Sequence, residues 1–175
     1  MSTDTFIVAG ATRQLVRTVD PANETDRSAV EALLGRPPQG DFSVVVRDAT
    51  SGLPVVLCNA PLLDDGTPMP TRYWLVDQDL NRRVGRVESA GGVRSAEQAV
   101  DPAALAAAHA RAAAERDAAV PADFAGPRPS GGVGGTRRGV KCLHAHYAWW
   151  LAGGDDPVGA WVDDQLAGQG GDSLA

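Results

Sequence analysis

The stretch FSVVVRDATSGLPVVLC, residues 42–58, decides the fold class of this chain. β-Branched residues dominate residues 42–48 and 54–58, and the turn-forming sequence Ala-Thr-Ser-Gly separates the two runs. Two such runs joined by a short turn predict an antiparallel hairpin. The segment YWLV, residues 73–76, has the same character and predicts a third strand.

Helical patterns surround the three predicted strands. Asn23 and Gly35 bound a segment with apolar residues on one face, which is typical of a short capped helix. Asp77 precedes a second helical pattern, which ends at a Gly-Gly pair. We therefore expect an α+β fold, in which a small antiparallel sheet of about three strands packs against four to five helices. The other predicted helices are 101–119, 140–151 and 157–166.

The length of the chain predicts one domain. At 175 residues the chain lies within the usual range for a single core. We expect an N-terminal segment with partial disorder over residues 1–22, a single α+β domain over 23–166, and a frayed tail over 167–175.

Composition excludes several classes of partner. The chain carries 22 acidic against 16 basic residues, a net charge of −6, which disfavours a nucleic-acid surface. The apolar runs are too short for a membrane span, and no export signal precedes them, so the expected location is the cytoplasm. Two cysteines far apart in sequence are typical of reduced thiols.

The first candidate site is the glycine-rich sequence GGVGGTRRGVKC, residues 131–142. Backbone amides and the side chains of Arg137, Arg138 and Lys141 lie at the start of a predicted helix, where the helix dipole favours negative charge. The spacing does not fit a P-loop. The segment therefore predicts binding of a small anionic or phosphorylated ligand, with a flexible loop of solvated arginines as the alternative.

The cysteine and histidines that follow allow several kinds of chemistry. A helix that starts at residue 140 places Cys142 and His146 on one face and His144 on the other, so Cys142 and His146 are its metal ligands if a metal is bound. An extended start would place all three on one side, as zinc ligands. Too few further ligands are available for zinc to be favoured as a cofactor. Cys142 near a helix N-terminus, with His144 as base, is also a candidate nucleophile.

The proline-rich loop before the third strand is the second candidate site. Its polar residues Asp64, Thr67 and Thr71 suit a ligand with hydroxyl or cationic groups, although Asp-Gly in such a loop is more often plain turn chemistry. The leading hypothesis joins this loop to residues 137–144 in one cleft.

Two blocks resemble a known family. The sequences LLDDGTPMPTRYWL (62–75) and GVKCLH (139–144) are similar to the actinobacterial family catalogued as domain of unknown function 501, and GRPPQG (35–40) and NAPLL (59–63) also fit. The resemblance runs from about residue 29 to about residue 159. It implies a small bacterial cytoplasmic protein and no particular reaction.

The resemblance also nominates residues. His146 matches only some members, and many members have a cysteine in the hairpin turn where this chain has Thr50-Ser51-Gly52. Both departures weaken the case for zinc. Members are often encoded near an exopolyphosphatase-like enzyme, an association that mildly favours a phosphorylated ligand. The positions that match the family blocks are Asp64, Gly66, Thr67, Pro68, Pro70, Thr71 and Tyr73 in the first, and Lys141, Cys142, Leu143 and His144 in the second.

Three functional hypotheses remain open after the sequence. The first is a protein that binds a small anion or phosphate ligand, with enzymatic activity left open. The second is a non-catalytic interaction module, in which Trp149 and Trp150 form a partner surface around a structural Cys/His pair. The third is a zinc-binding protein.

Overall fold

The computed structural model describes residues 4–8 and 13–169. In these ranges one antiparallel sheet contains five strands whose spatial order follows the chain. The α+β class is confirmed, with two strands more than the three predicted. The strands are β1 (Thr5–Ile7), β2 (Gln14–Pro21), β3 (Phe42–Asp48), β4 (Pro54–Asn59) and β5 (Tyr73–Leu75). The helices are α1 (Glu24–Leu34), α2 (Gln78–Ser89), α3 (Gly92–Ala99), α4 (Pro102–Ala118), α5 (Leu143–Leu151) and α6 (Pro157–Gln169).

The hairpin predicted from residues 42–58 forms the centre of the sheet. Strand β4 is buried on both of its faces, so its sequence shows a continuous apolar run and no alternation. Val56 and Leu57 are consecutive and thus point to opposite sides of the sheet. Leu57 packs in a cluster with Val30 of α1, whereas Val56 belongs to a larger cluster that includes Leu143 and Tyr147 of α5. The sheet therefore has helices on both faces.

Helix α5 lies inside the larger cluster. Its side chains are buried around almost the whole helix, which is typical of a core helix. Tyr147 is fully buried, and its hydroxyl donates to Asp163 of α6 at 3.0 Å. Trp149 is also buried and donates from Nε1 to Glu115, while Trp150 stacks on Tyr147. Trp149 is thus part of the core, which does not favour the alternative in which this tryptophan pair forms a partner surface.

Three elements were missed by the sequence analysis. Strands β1 and β2 lie within residues 5–21, where the sequence shows no clear alternation of apolar and polar residues. Polar residues of β2 are instead paired with other parts of the fold. Arg17, for example, donates to the carbonyl of Leu151 at 2.8 Å.

Helix α3 starts at Gly92, where a helix end was predicted. A Cβ on Gly92 would lie 2.5 Å from the carbonyl oxygen of Val87, so glycine allows α3 to begin close against α2. Residues 1–3, 9–12 and 170–175 of the predicted termini lie outside the described residues.

Candidate functional site

The backbone conformation at Cys142 decides which side chains lie next to its thiol. Its backbone is extended, with φ −154° and ψ 118°, and it occupies the N-cap position of α5. The helix that the sequence predicted over 140–151 therefore begins at Leu143, three residues after the predicted start. The side chain of Cys142 consequently lies next to His144, with Sγ 3.8 Å from Nδ1, and is not on a shared helix face with His146.

Glu88, at the end of α2, completes a cluster with these two residues. Its Oε1 lies 3.3 Å from His144 Nδ1 and accepts a hydrogen bond of 2.6 Å from the backbone amide of Leu143. One ligand atom from each of Glu88, Cys142 and His144 lies within 4.8 Å of the others. All three side chains are partly exposed, so solvent reaches the cluster.

The other nitrogen of His144 is held by the backbone. Nε2 lies 3.1 Å from the carbonyl oxygen of Asn81, which can only accept, so Nε2 carries the hydrogen. Gly85 lies beside the ring, and a Cβ there would be 4.0 Å from Nε2. Burial lowers the pKa of His144, but hydrogen bonds with Cys142 and with the Asn81 carbonyl, together with the charge of Glu88, raise it to about 9.

The thiol and the carboxylate approach the same ring nitrogen. In a catalytic triad the nucleophile and the acid lie on opposite nitrogens of the histidine, so that the acid orients the ring while the other nitrogen takes the proton. Here Nδ1 faces both Cys142 and Glu88, and Nε2 is engaged by Asn81. This arrangement suits a cation shared by three donor atoms better than a nucleophile with its base.

His146, predicted as the second metal ligand beside Cys142, lies in the core. Its Nδ1 is 2.7 Å from Asp156, and both side chains are almost completely buried. Asp156 also accepts from the amides of Val158 and Gly159 at the start of α6. His146 is therefore paired with the carboxylate that caps α6. The histidine that lies next to Cys142 is His144.

The three predicted cationic residues are exposed. The side chains of Arg137, Arg138 and Lys141 form no hydrogen bond or ion pair with a described residue, and the Arg138 carbonyl accepts from the Thr136 hydroxyl at 2.8 Å. Arg137 and Arg138 line a hollow of about 400 Å³, together with apolar residues of α4 and with His109. The His109 ring is fixed by both nitrogens, since Nδ1 accepts from the amide of Val133 and Nε2 donates to a backbone carbonyl. Burial lowers the pKa of His109.

The proline-rich loop takes up turn geometry at the residues predicted to bind a ligand. The side chain of Asp65 accepts from the amide of Thr67 at 2.8 Å, and Gly66 adopts a positive φ. No hydrogen bond or ion pair between described residues joins Asp64 or Thr67 to residues 137–144. Thr71, at the end of the loop, lies instead beside residues 132–134 and the buried Trp149.

A comparison with known protein families gives one match. The family described as protein of unknown function (DUF501) matches residues 45–164. The chain belongs to this family. No curated protein and no solved structure matches it. Among the described residues, no helix is long and apolar enough to cross a membrane.

Within this DUF501 chain, the sequence analysis missed two residues of the site. Glu88 and Asn81 belong to α2, which looked like an ordinary amphipathic helix with a polar outer face. A carboxylate on the last turn of a helix is unfavourable for the helix dipole, because the C-terminus carries partial negative charge. Glu88 occupies such a position, and this local conflict was the available signal for a functional role.

Proposed function

We propose that Glu88, Cys142 and His144 bind a divalent cation of the zinc class and leave one coordination position open. The observation that carries the proposal is the approach of the thiol and the carboxylate to a single nitrogen, His144 Nδ1, at 3.8 and 3.3 Å. In a tetrahedral zinc site, with bonds of about 2.0–2.3 Å, ligand atoms lie roughly 3.3–3.6 Å apart. The two distances from His144 Nδ1 are thus close to those between the ligands of a bound ion.

The neighbours of the three ligands support the same assignment. Histidine ligands usually donate their second N–H to a carbonyl or carboxylate, which fixes the ring and its tautomer. The Asn81 carbonyl has this position relative to His144. The backbone amide of Leu143 likewise orients the Glu88 carboxylate. The site therefore resembles a preformed set of ligands with its outer hydrogen bonds in place.

The charge balance suggests what binds at the open position. Binding of the cation would displace the protons of His144 Nδ1 and of the Cys142 thiol, and a divalent cation with one thiolate, one carboxylate and one neutral histidine has no net charge. Lys141, adjacent to Cys142, is exposed and has no ion pair among the described residues. A small anion such as inorganic phosphate is the ligand that this local charge favours. Three protein ligands with an open position are also typical of catalytic zinc sites, whereas structural sites have four.

Metal content per chain is the direct test. The protein is expressed without a histidine tag in zinc-supplemented medium, desalted without chelator, and measured by inductively coupled plasma mass spectrometry. We expect close to one zinc per chain, reduced more than about tenfold by Cys142→Ser and by Glu88→Gln, because two remaining ligands hold zinc weakly. Circular dichroism establishes that the variants are folded.

Matched controls separate ligand loss from general damage. Cys58→Ser removes the other thiol, which lies in β4. Glu97→Gln changes a carboxylate that accepts from the amide of Val140 at 2.6 Å, much as Glu88 accepts from Leu143. Both controls should retain zinc. Wild-type protein that takes up no zinc in the presence of an excess, or zinc retained by both ligand variants, would contradict the proposal.

Binding of the anion at the open position is tested by a separate measurement. Cobalt replaces zinc, and its visible absorption reports the ligands around it. Addition of inorganic phosphate should change the cobalt spectrum with saturation, and Lys141→Gln should raise the phosphate concentration that is required. A cobalt spectrum that phosphate leaves unchanged would restrict the proposal to the metal alone and refute the anion as its fourth ligand.

A further inference from the structure

A second pocket lies on the α1 side of the sheet. It has a volume of about 200 Å³ and is enclosed by α1, strands β3 and β4, and the proline-rich loop. Phe42 and Leu57, both buried, form its floor. Leu34, Met69 and the partly exposed Trp74 form its walls. Apolar walls of this kind, with a few polar groups at the mouth, are typical of small-molecule sites.

Backbone hydrogen bonds hold the loop wall of this pocket in place. Met69 donates to the carbonyl of Pro61 at 2.8 Å, and Leu63 donates to that of Thr67 at 2.9 Å. The loop is also tied to the segment before β3, because the amide of Asp64 donates to Gln39 at 3.1 Å. The pocket is therefore preformed, and a ligand would not have to order the loop at an entropic cost.

The mouth of the pocket has an excess of positive charge. The guanidinium of Arg36 lies over the ring of Trp74, 5.9 Å from its centroid, and forms no ion pair with a described residue. Asp41 is also at the mouth, but Arg27 neutralises it through a hydrogen bond of 2.6 Å. Arg36 is thus the uncompensated charge beside an apolar cavity.

We infer that this pocket binds a small organic anion, a single aromatic ring that carries a carboxylate. A dry cavity of about 150 Å³ accommodates benzene, so the volume here accepts one ring. Trp74 and Met69 offer aromatic and sulfur contacts to such a ring. The guanidinium of Arg36 would pair with the carboxylate at the mouth. This site is independent of the proposed metal centre, because it shares no residue with it.

Phenylacetate and its neutral counterpart phenylacetamide are the probes. The side-chain indole N–H signals of Trp74, Trp149, Trp150 and Trp161 are followed by heteronuclear NMR, and Trp74→Phe assigns the signal of Trp74. We expect phenylacetate to shift the Trp74 signal with saturation and to leave the three others in place. Phenylacetamide should bind more weakly.

Arg36→Gln removes the charge at the mouth of the pocket and keeps a polar side chain there. It should weaken phenylacetate binding about two- to fivefold, as expected for an exposed ion pair, and weaken phenylacetamide binding less. Arg128→Gln, at another exposed arginine, is the matched control and should change neither. No saturable shift of Trp74, or equal affinity of wild type and Arg36→Gln for phenylacetate, would overturn the inference. Cys142→Ser should bind phenylacetate as wild type does, so failure here is distinguishable from failure of the metal site.

Discussion

Acid sensitivity at Asp48 is the prediction that the structure defines most closely. The side chain is buried at the end of β3, where it accepts hydrogen bonds from Ser51 of the hairpin turn and from the Arg13 guanidinium. Arg13 also donates to Asp77, the N-cap of α2, at 2.7 Å. The carboxylate of Asp48 therefore links the hairpin turn to the segment before β2, and through Arg13 to α2.

The magnitude follows from the pKa of this carboxyl. Burial raises the pKa of Asp48, but the hydrogen bonds from Arg13 and Ser51 outweigh it and lower the pKa from 3.8 to about 2. At about 1.4 kcal/mol for each pH unit, this amounts to about 2 kcal/mol of folding free energy. Because the folded pKa is below the unfolded value, the contribution is complete above about pH 4 and is lost as the pH falls towards about 2.

Urea denaturation of wild type and Asp48→Asn measures the effect. The variant should be less stable than wild type by about 2 kcal/mol at about pH 6, and this difference should fall by more than half at about pH 2.5. The matched control is Asp41→Asn, whose carboxylate is exposed and pairs with Arg27. Its difference should not exceed about 0.5 kcal/mol at either pH. A difference for Asp48→Asn that is constant from about pH 6 to about pH 2.5 would refute this reasoning.

Two further predictions concern folding stability, measured by the same urea transitions. Asp156→Ala leaves the buried His146 without its partner and removes the cap of α6, so it should cost about 3–5 kcal/mol. Asp155→Ala, at an exposed neighbour, should cost less than about 1 kcal/mol, and equal losses would contradict the role of the buried pair. Gly92→Ala places a Cβ 2.5 Å from a carbonyl oxygen of α2 and should destabilise by more than about 1 kcal/mol. Gly85→Ala, inside α2 with only ordinary contacts, should instead stabilise by up to about 1 kcal/mol, and the opposite order would show the clash to be absent.

The sequence by itself determined the elements that depend on local chemistry. Asn23 predicted the start of α1, and the structure shows a complete capping box between Asn23 and Asp26. Asp77 and Asp101 likewise cap α2 and α4. The hairpin over 42–58 was predicted correctly because β-branched runs and a turn lie next to each other in the chain. Caps, turns and periodicity need only neighbouring residues.

The tertiary structure alone decided which residues form the candidate site. His144 and Glu88 are far apart in sequence, and the hydrogen bond between the Glu88 side chain and the Leu143 amide spans 55 residues. Sequence patterns detect groups that are close along the chain, so they nominated Cys142, His144 and His146 and assigned His146, not His144, as the metal ligand beside Cys142. The choice came from the extended backbone at Cys142 and from the burial of His146 against Asp156. The extended backbone at Cys142 and the burial of His146 both result from the packing of α5 between α2 and α6. This packing is stabilised by the burial of apolar surface between elements that are brought together only by folding.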